Sequence, residues 1–134
     1  MKAINFARIE GVNENFASGI ESVKGYEKGT NRVVFKCKNG NTVILYHDQD
    51  CCESVWLEDS DGLANGTDIF TGCEWCKVEC VEGYKEPLDI FDESYTWTFY
   101  KFTTNKGYDT MRWYGTSNGY YSEDMSFMII EVEE

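Results

Sequence analysis

Tyr95-Thr96-Trp97-Thr98-Phe99-Tyr100-Lys101-Phe102 alternates rings with threonines, and this alternation decides the fold. Successive side chains of a strand point to opposite faces, so a period of two marks a pleated sheet. Rings and β-branched residues pack well on such a surface. Asn105-Lys106-Gly107 supplies a turn, and Tyr108 to Tyr114 runs back along the first strand. Ser117-Asn118-Gly119 turns again, and Met125 to Val132 forms a closing strand.

Upstream, Arg32 to Lys38 alternates around Val33, Phe35 and Cys37. Asn39-Gly40 offers the positive-φ pair of a tight hairpin, and Asn41 to His47 returns. A two-residue loop pairs Lys38 with Asn41 and sets Arg32 opposite His47. Val33, Phe35, Ile44 and Tyr46 then share a face. Tyr46 to Asp59 reads as strand, polar turn, strand, closed by Asp59-Ser60-Asp61-Gly62. Ile69 to Val81 is a further strand region. Glu82 to Asp92, with Gly83 and Pro87, is an irregular exposed loop. Asn13-Glu14-Asn15-Phe16-Ala17 starts a short helix that Gly19 weakens. The expected fold is mainly β: an antiparallel β-sandwich-like single domain over residues 1–134 with a short N-terminal helical segment.

With 24 acidic against 12 basic residues the formal charge is -12. Such a chain repels nucleic acid over most of its surface. A phosphate-bearing ligand needs a local basic pocket, and the arginines are Arg8, Arg32 and Arg112. The acid itself suggests another function, that of a DNA mimic or acidic inhibitor binding a defence protein directly. No apolar run marks a signal peptide or a membrane span, so a cytosolic location without membrane contact is expected. In a reducing cytosol the 6 cysteines are expected as free thiols or metal ligands.

Cys73-Glu74-Trp75-Cys76 has zinc-ligand spacing. A partner knuckle is missing, because Cys51 and Cys52 are adjacent, and adjacent strand residues face opposite ways. Buried thiols beside a sheet are the favoured reading, with no metal. A redox CxxC needs a βαβ context, which the strand-like surroundings lack. His47 with Cys51 or Cys52 lacks an orienting third group, so no catalytic set is assigned. Its plainer role is a polar strand end facing Arg32. Asp59-Ser60-Asp61-Gly62 begins like a calcium loop, but Leu63 takes the next ligand position.

Arg112 sits mid-strand between Met111 and Trp113 and shares a face with Thr110 and Tyr114. A cation there needs a partner. A carboxylate is one choice; a phosphate, gripped by the guanidinium fork beside rings that stack a base, is the other.

Three runs resemble small phage-encoded proteins of the Thoeris anti-defence 1 family. They are Tyr46 to Val55, Ser94 to Tyr100, and Arg112-Trp113-Tyr114-Gly115 with Ser117 to Glu123 behind it. The resemblance implies a sponge. Its ligand is glycocyclic ADP-ribose, the signal that activates the Thoeris effector, held without cleavage in the cytoplasm of the infected bacterial host. It also implies a homodimer or higher homo-oligomer with pockets between protomers, binding of cyclic oligonucleotide signals by some members, and no cofactor. The candidate ligand-binding residues are Arg112, Asn118, Tyr120, Tyr121, Phe91, Arg32 and Trp97. A second cation comes from Arg32, Arg8, a lysine or the other protomer.

Overall fold

A computed structural model describes residues 2–6, 13–15, 19–61, 69–81, 85–123 and 125–131. Among these, ten strands form two antiparallel sheets. One sheet runs β1 (Lys2–Phe6), β10 (Ser126–Glu131), β5 (Thr42–Tyr46), β4 (Arg32–Cys37), β3 (Ile20–Lys24). The second runs β2 (Asn13–Asn15), β7 (Cys76–Val81), β8 (Ser94–Thr104), β9 (Gly107–Ser117), β6 (Ser54–Ser60). The architecture is the expected mainly β, sandwich-like one.

The core lies between the sheets. Val33, Phe35, Val43, Leu45 and Phe127 face it from the first sheet, and Leu57, Val78, Tyr100, Phe102, Met111 and Trp113 from the second, all fully buried. Phe35 crosses to Phe102 at 5.2 Å between ring centroids, and Phe70 meets both rings edge-on. Such contacts add to the hydrophobic gain of burying three large rings.

Three expectations are corrected. Asn13–Asn15, the expected helix start, are strand β2 and pair with the edge of β7. Asparagine is a poor helix former, and an open sheet edge offers its backbone partners. Phe16 and Ala17 lie outside the described residues. The β4–β5 hairpin is shifted by one residue. Cys37 N–H donates to Asn41 O at 2.9 Å and Gly40 N–H to Cys37 O at 3.0 Å, so Lys38, Asn39 and Gly40 form a three-residue loop with Gly40 at φ 91°. Arg32 therefore pairs with Tyr46, and Val33 with Leu45. A one-residue slip exchanges faces: Val43 and Leu45 are in the core, whereas Ile44 and Tyr46 are only half-buried. In the expected strand region Ile69 to Val81, strand begins only at Cys76, because a turn with Gly72 at φ 75° precedes it.

Candidate functional site

The outer face of the second sheet is lined with rings because β8, β9 and β6 all present aromatics there. Register sets Trp97 opposite Tyr114, Phe99 opposite Arg112, and Trp56 opposite Tyr114. Trp97 meets Tyr114 edge-on at 4.8 Å and stacks with Phe99 at 6.1 Å. Trp56 touches Tyr114 from the other side at 5.3 Å, and Tyr95 stacks on it at 6.1 Å.

Residues 85–92 fold over this face. Lys85 Nζ lies 5.0 Å from the centre of the Trp97 ring, a cation–π distance. Trp97 Nε1 donates to Glu86 O at 3.1 Å, and Leu88 N–H donates to the Tyr114 hydroxyl at 3.4 Å. That hydroxyl donates to the Asp92 carboxylate. Burial, then the bond to Asp92, pushes the Tyr114 phenol well above its usual range, so it stays a donor. The loop tip is left in water: Ile90 is 85% and Phe91 84% exposed.

Arg112 has taken the carboxylate partner. Its Nη1 lies 3.1 Å from Asp59 Oδ2 and its Nη2 2.7 Å from Asp61 Oδ1. A bulge at Glu58 makes this possible. It shifts the register so that Asp59, not Glu58, faces Arg112. The two aspartates of the calcium-like turn thus serve as the guanidinium's partners. Burial alone would lower the arginine's affinity for its proton, but Asp61, Asp59 and Asp109 outweigh it and raise it. Both aspartates are about half exposed, 51% and 47%, so the pair is open to exchange with solvent anions.

The other candidates fall in two places. Asn118, Tyr120 and Tyr121 form a turn past the end of β9. Asn118 Oδ1 accepts from Tyr120 N–H at 3.0 Å, and Tyr120 is 83% exposed. The pairing of Ser117 with Ser94 places that turn at the end of the sheet reached by the Phe91 loop. Arg32 is exposed on β4 of the first sheet, whereas Arg112 stands on β9 of the second. Arg8 lies outside the described residues. Trp56, Tyr95 and Lys85 join the ring face without having been singled out. The alternation of Trp56 with buried Val55 and Leu57 is the signal that would have found the first.

Beside Trp56 the surface dips into an open cleft of about 620 Å³, lined by Gly29, Thr30, Asn31, Gln49, Glu53 and Trp56 among others. His47 does not face Arg32 but is buried against Glu53, Nε2 to Oε1 3.0 Å. Glu53 also accepts from the N–H groups of Asp50 at 2.5 Å and Cys51 at 3.2 Å. Burial would raise this carboxyl, but those bonds outweigh it and hold it at about 2. Cys51 and Cys52 are disulfide-bonded, against the expectation of thiols or metal ligands. They sit on a bend rather than a strand, where adjacent side chains need not diverge. Cys37, Cys73 and Cys76 are buried free thiols.

No curated protein and no solved structure matches the chain. A family described as a domain of unknown function, DUF7448, matches residues 6–127, the ring face, the Arg112 fork and the cleft included. This ring-faced, mainly β chain therefore belongs to the DUF7448 family.

Proposed function

We propose that the chain is a binding protein that sequesters a diphosphate nucleotide signal of the glycocyclic ADP-ribose type without cleaving it. On this reading it acts in an infected bacterium and starves the Thoeris effector of its activator. The observation that carries the reading is the ring face beneath residues 85–92, with Trp97 held between Tyr114, Phe99 and the Lys85 ammonium. A purine stacks on such a surface, and a cation beside the ring meets the phosphate. The bonds that fasten the loop through Glu86, Leu88 and Asp92 are ones a ligand can replace as it is closed in, which favours slow release.

A diphosphate needs more than one cation. In this reading its oxygens take the two Arg112 nitrogens now held by Asp59 and Asp61, which present oxygens as a phosphate would. Lys85 adds a second charge, and Arg32 of another copy a third. Leu88, Ile90, Phe91 and Tyr120, exposed together on loops, are the contact by which copies would build a shared pocket as a homodimer or larger assembly. Cyclic oligonucleotides carry the same bases and phosphates and would compete for it.

Incubating the protein with signal-containing lysate and heating it should release the intact nucleotide by mass spectrometry. Recovery of a hydrolysed product overturns the reading, and capture of a defence protein with no nucleotide favours the acidic inhibitor instead. Trp97→Ala should weaken capture by about 5- to 150-fold, as expected for a stacking contribution of about 1–3 kcal/mol. Arg112→Ala should weaken it roughly 10- to 100-fold, the range of a lost charged hydrogen bond. The pair Asp59→Asn and Asp61→Asn should tighten capture by freeing the fork. Unchanged affinity in both experiments removes Arg112 from the site.

A further inference from the structure

Cys51 and Cys52 stand on the turn that forms one wall of the cleft. That turn is pinned from inside. Glu53 accepts the N–H groups of Asp50 and Cys51 and bonds the buried His47. Gln49 Nε2 donates to Cys51 O at 3.2 Å and to Glu53 O at 2.8 Å. The two cysteines are exposed on the outside of it. Gln49 and Glu53 line the cleft opposite Gly29, Thr30 and Asn31, with Trp56 beside them.

We infer that Cys51 and Cys52 form a reversible thiol–disulfide site whose reaction partner is a low-molecular-weight disulfide and whose state reshapes the cleft. Three observations meet here. The sulfurs are adjacent and bonded, and both residues are exposed. Cys37, Cys73 and Cys76 are instead shut in the core, and burial, with neighbouring thiols adding, raises Cys37 to about 11 and Cys76 further, so those two hold little thiolate. And the backbone of Cys51 is bonded at both ends to side chains of the cleft wall, its N–H to Glu53 and its C=O to Gln49. Closing the ring constrains the peptide that joins the two cysteines, so the Cys51 carbonyl shifts and carries the Gln49 amide with it.

The chemistry balances as an exchange. One thiolate attacks the small disulfide, forms a mixed disulfide and expels a small thiolate. The second cysteine thiolate then displaces the other small thiolate and closes the Cys51–Cys52 bond. Two protons leave the cysteines, and two electrons pass to the small disulfide, which ends as two thiols.

The test uses the full chain in glutathione buffers of graded ratio, quenched by alkylation and read by peptide mass. The expected result is one transition in which the Cys51–Cys52 peptide passes from doubly alkylated to unalkylated and about 2 Da lighter than the dithiol. Cys37, Cys73 and Cys76 stay alkylated as thiols after denaturation. Emission of Trp56, taken as the difference from Trp56→Phe, should shift along the same transition, and Cys52→Ser should abolish that shift while leaving a mixed disulfide on Cys51. A peptide that stays dithiol through the series, or oxidises without closing, overturns the site. A Trp56 signal that does not move with closure overturns the coupling to the cleft. None of these readouts requires the nucleotide, so their failure is separate from failure of the sponge reading.

Discussion

Glu53 ties the cleft wall together through one carboxylate. Its proton affinity is depressed to about 2 from 4.5, because the bonds from Asp50, His47 and Cys51 outweigh its burial. A group whose folded value lies below its unfolded one stabilises the fold above the unfolded value and loses that contribution as pH falls through the folded one. Glu53→Gln should therefore lower the melting temperature at neutral pH. The gap from the parent should narrow as pH drops from about 4.5 toward about 2, where the parent's own carboxyl is protonated. Calorimetry across that window checks it, and a gap that stays constant would remove Glu53 from the acid response. Gly115 makes a different kind of demand. A Cβ there would meet Glu123 O at 2.2 Å, and Glu123 is itself held by the hydroxyls of Ser94, Thr96 and Ser117. Gly115→Ala should cost about 1–3 kcal/mol in urea unfolding, the range of an overpacked core.

At the scale of elements, the loop over the ring face hangs on the Tyr114 hydroxyl. Tyr114→Phe removes the bonds to Leu88 and Asp92 but keeps the ring contacts with Trp56, Tyr95 and Trp97. Amide exchange of Leu88 should speed by roughly 10-fold, matching a net hydrogen bond of about 1 kcal/mol or somewhat more. Exchange in β8 should hold steady; acceleration there too would mean that the hydroxyl supports the sheet and not the loop. What the sequence made legible follows the same division. Ring–threonine alternation over Tyr95 to Phe102 is a strong local signal, and β8 and β9 lie where it pointed, with Arg112 on the face of Thr110 and Tyr114. The β4–β5 register was not legible, because Asn39-Gly40 suits both two- and three-residue loops and the choice rests on where Gly40 takes positive φ. The partners of Arg112 were hidden for a related reason. A bulge at Glu58 leaves no mark in the alternation, yet it alone brings Asp59 opposite the guanidinium. Strand β2 is three residues that pair with the β7 edge, a tertiary cause invisible in Asn13-Glu14-Asn15.

At the scale of the whole molecule, apolar loop tips work against a charge of -12. Leu88, Ile90, Phe91 and Tyr120 stand exposed to water on loops. If copies meet through these tips, as the shared-pocket reading requires, burial of their surface drives assembly at about 25 cal/mol per Å² while like charges oppose it. Salt then has a definite sign. Screening shortens the reach of repulsion to about 8 Å at physiological ionic strength, and it leaves apolar burial intact, so the dimer should tighten as salt rises from low to physiological levels. An interface built on opposite charges would loosen instead. Phe91→Asp combined with Ile90→Asp should shift the chain to monomer at micromolar concentration by light scattering, without loss of thermal stability, because both side chains lie outside the core. A parent that is monomeric at every salt concentration would break the shared-pocket account, and the phosphate cations would then have to come from Lys85 and Arg112 within one copy.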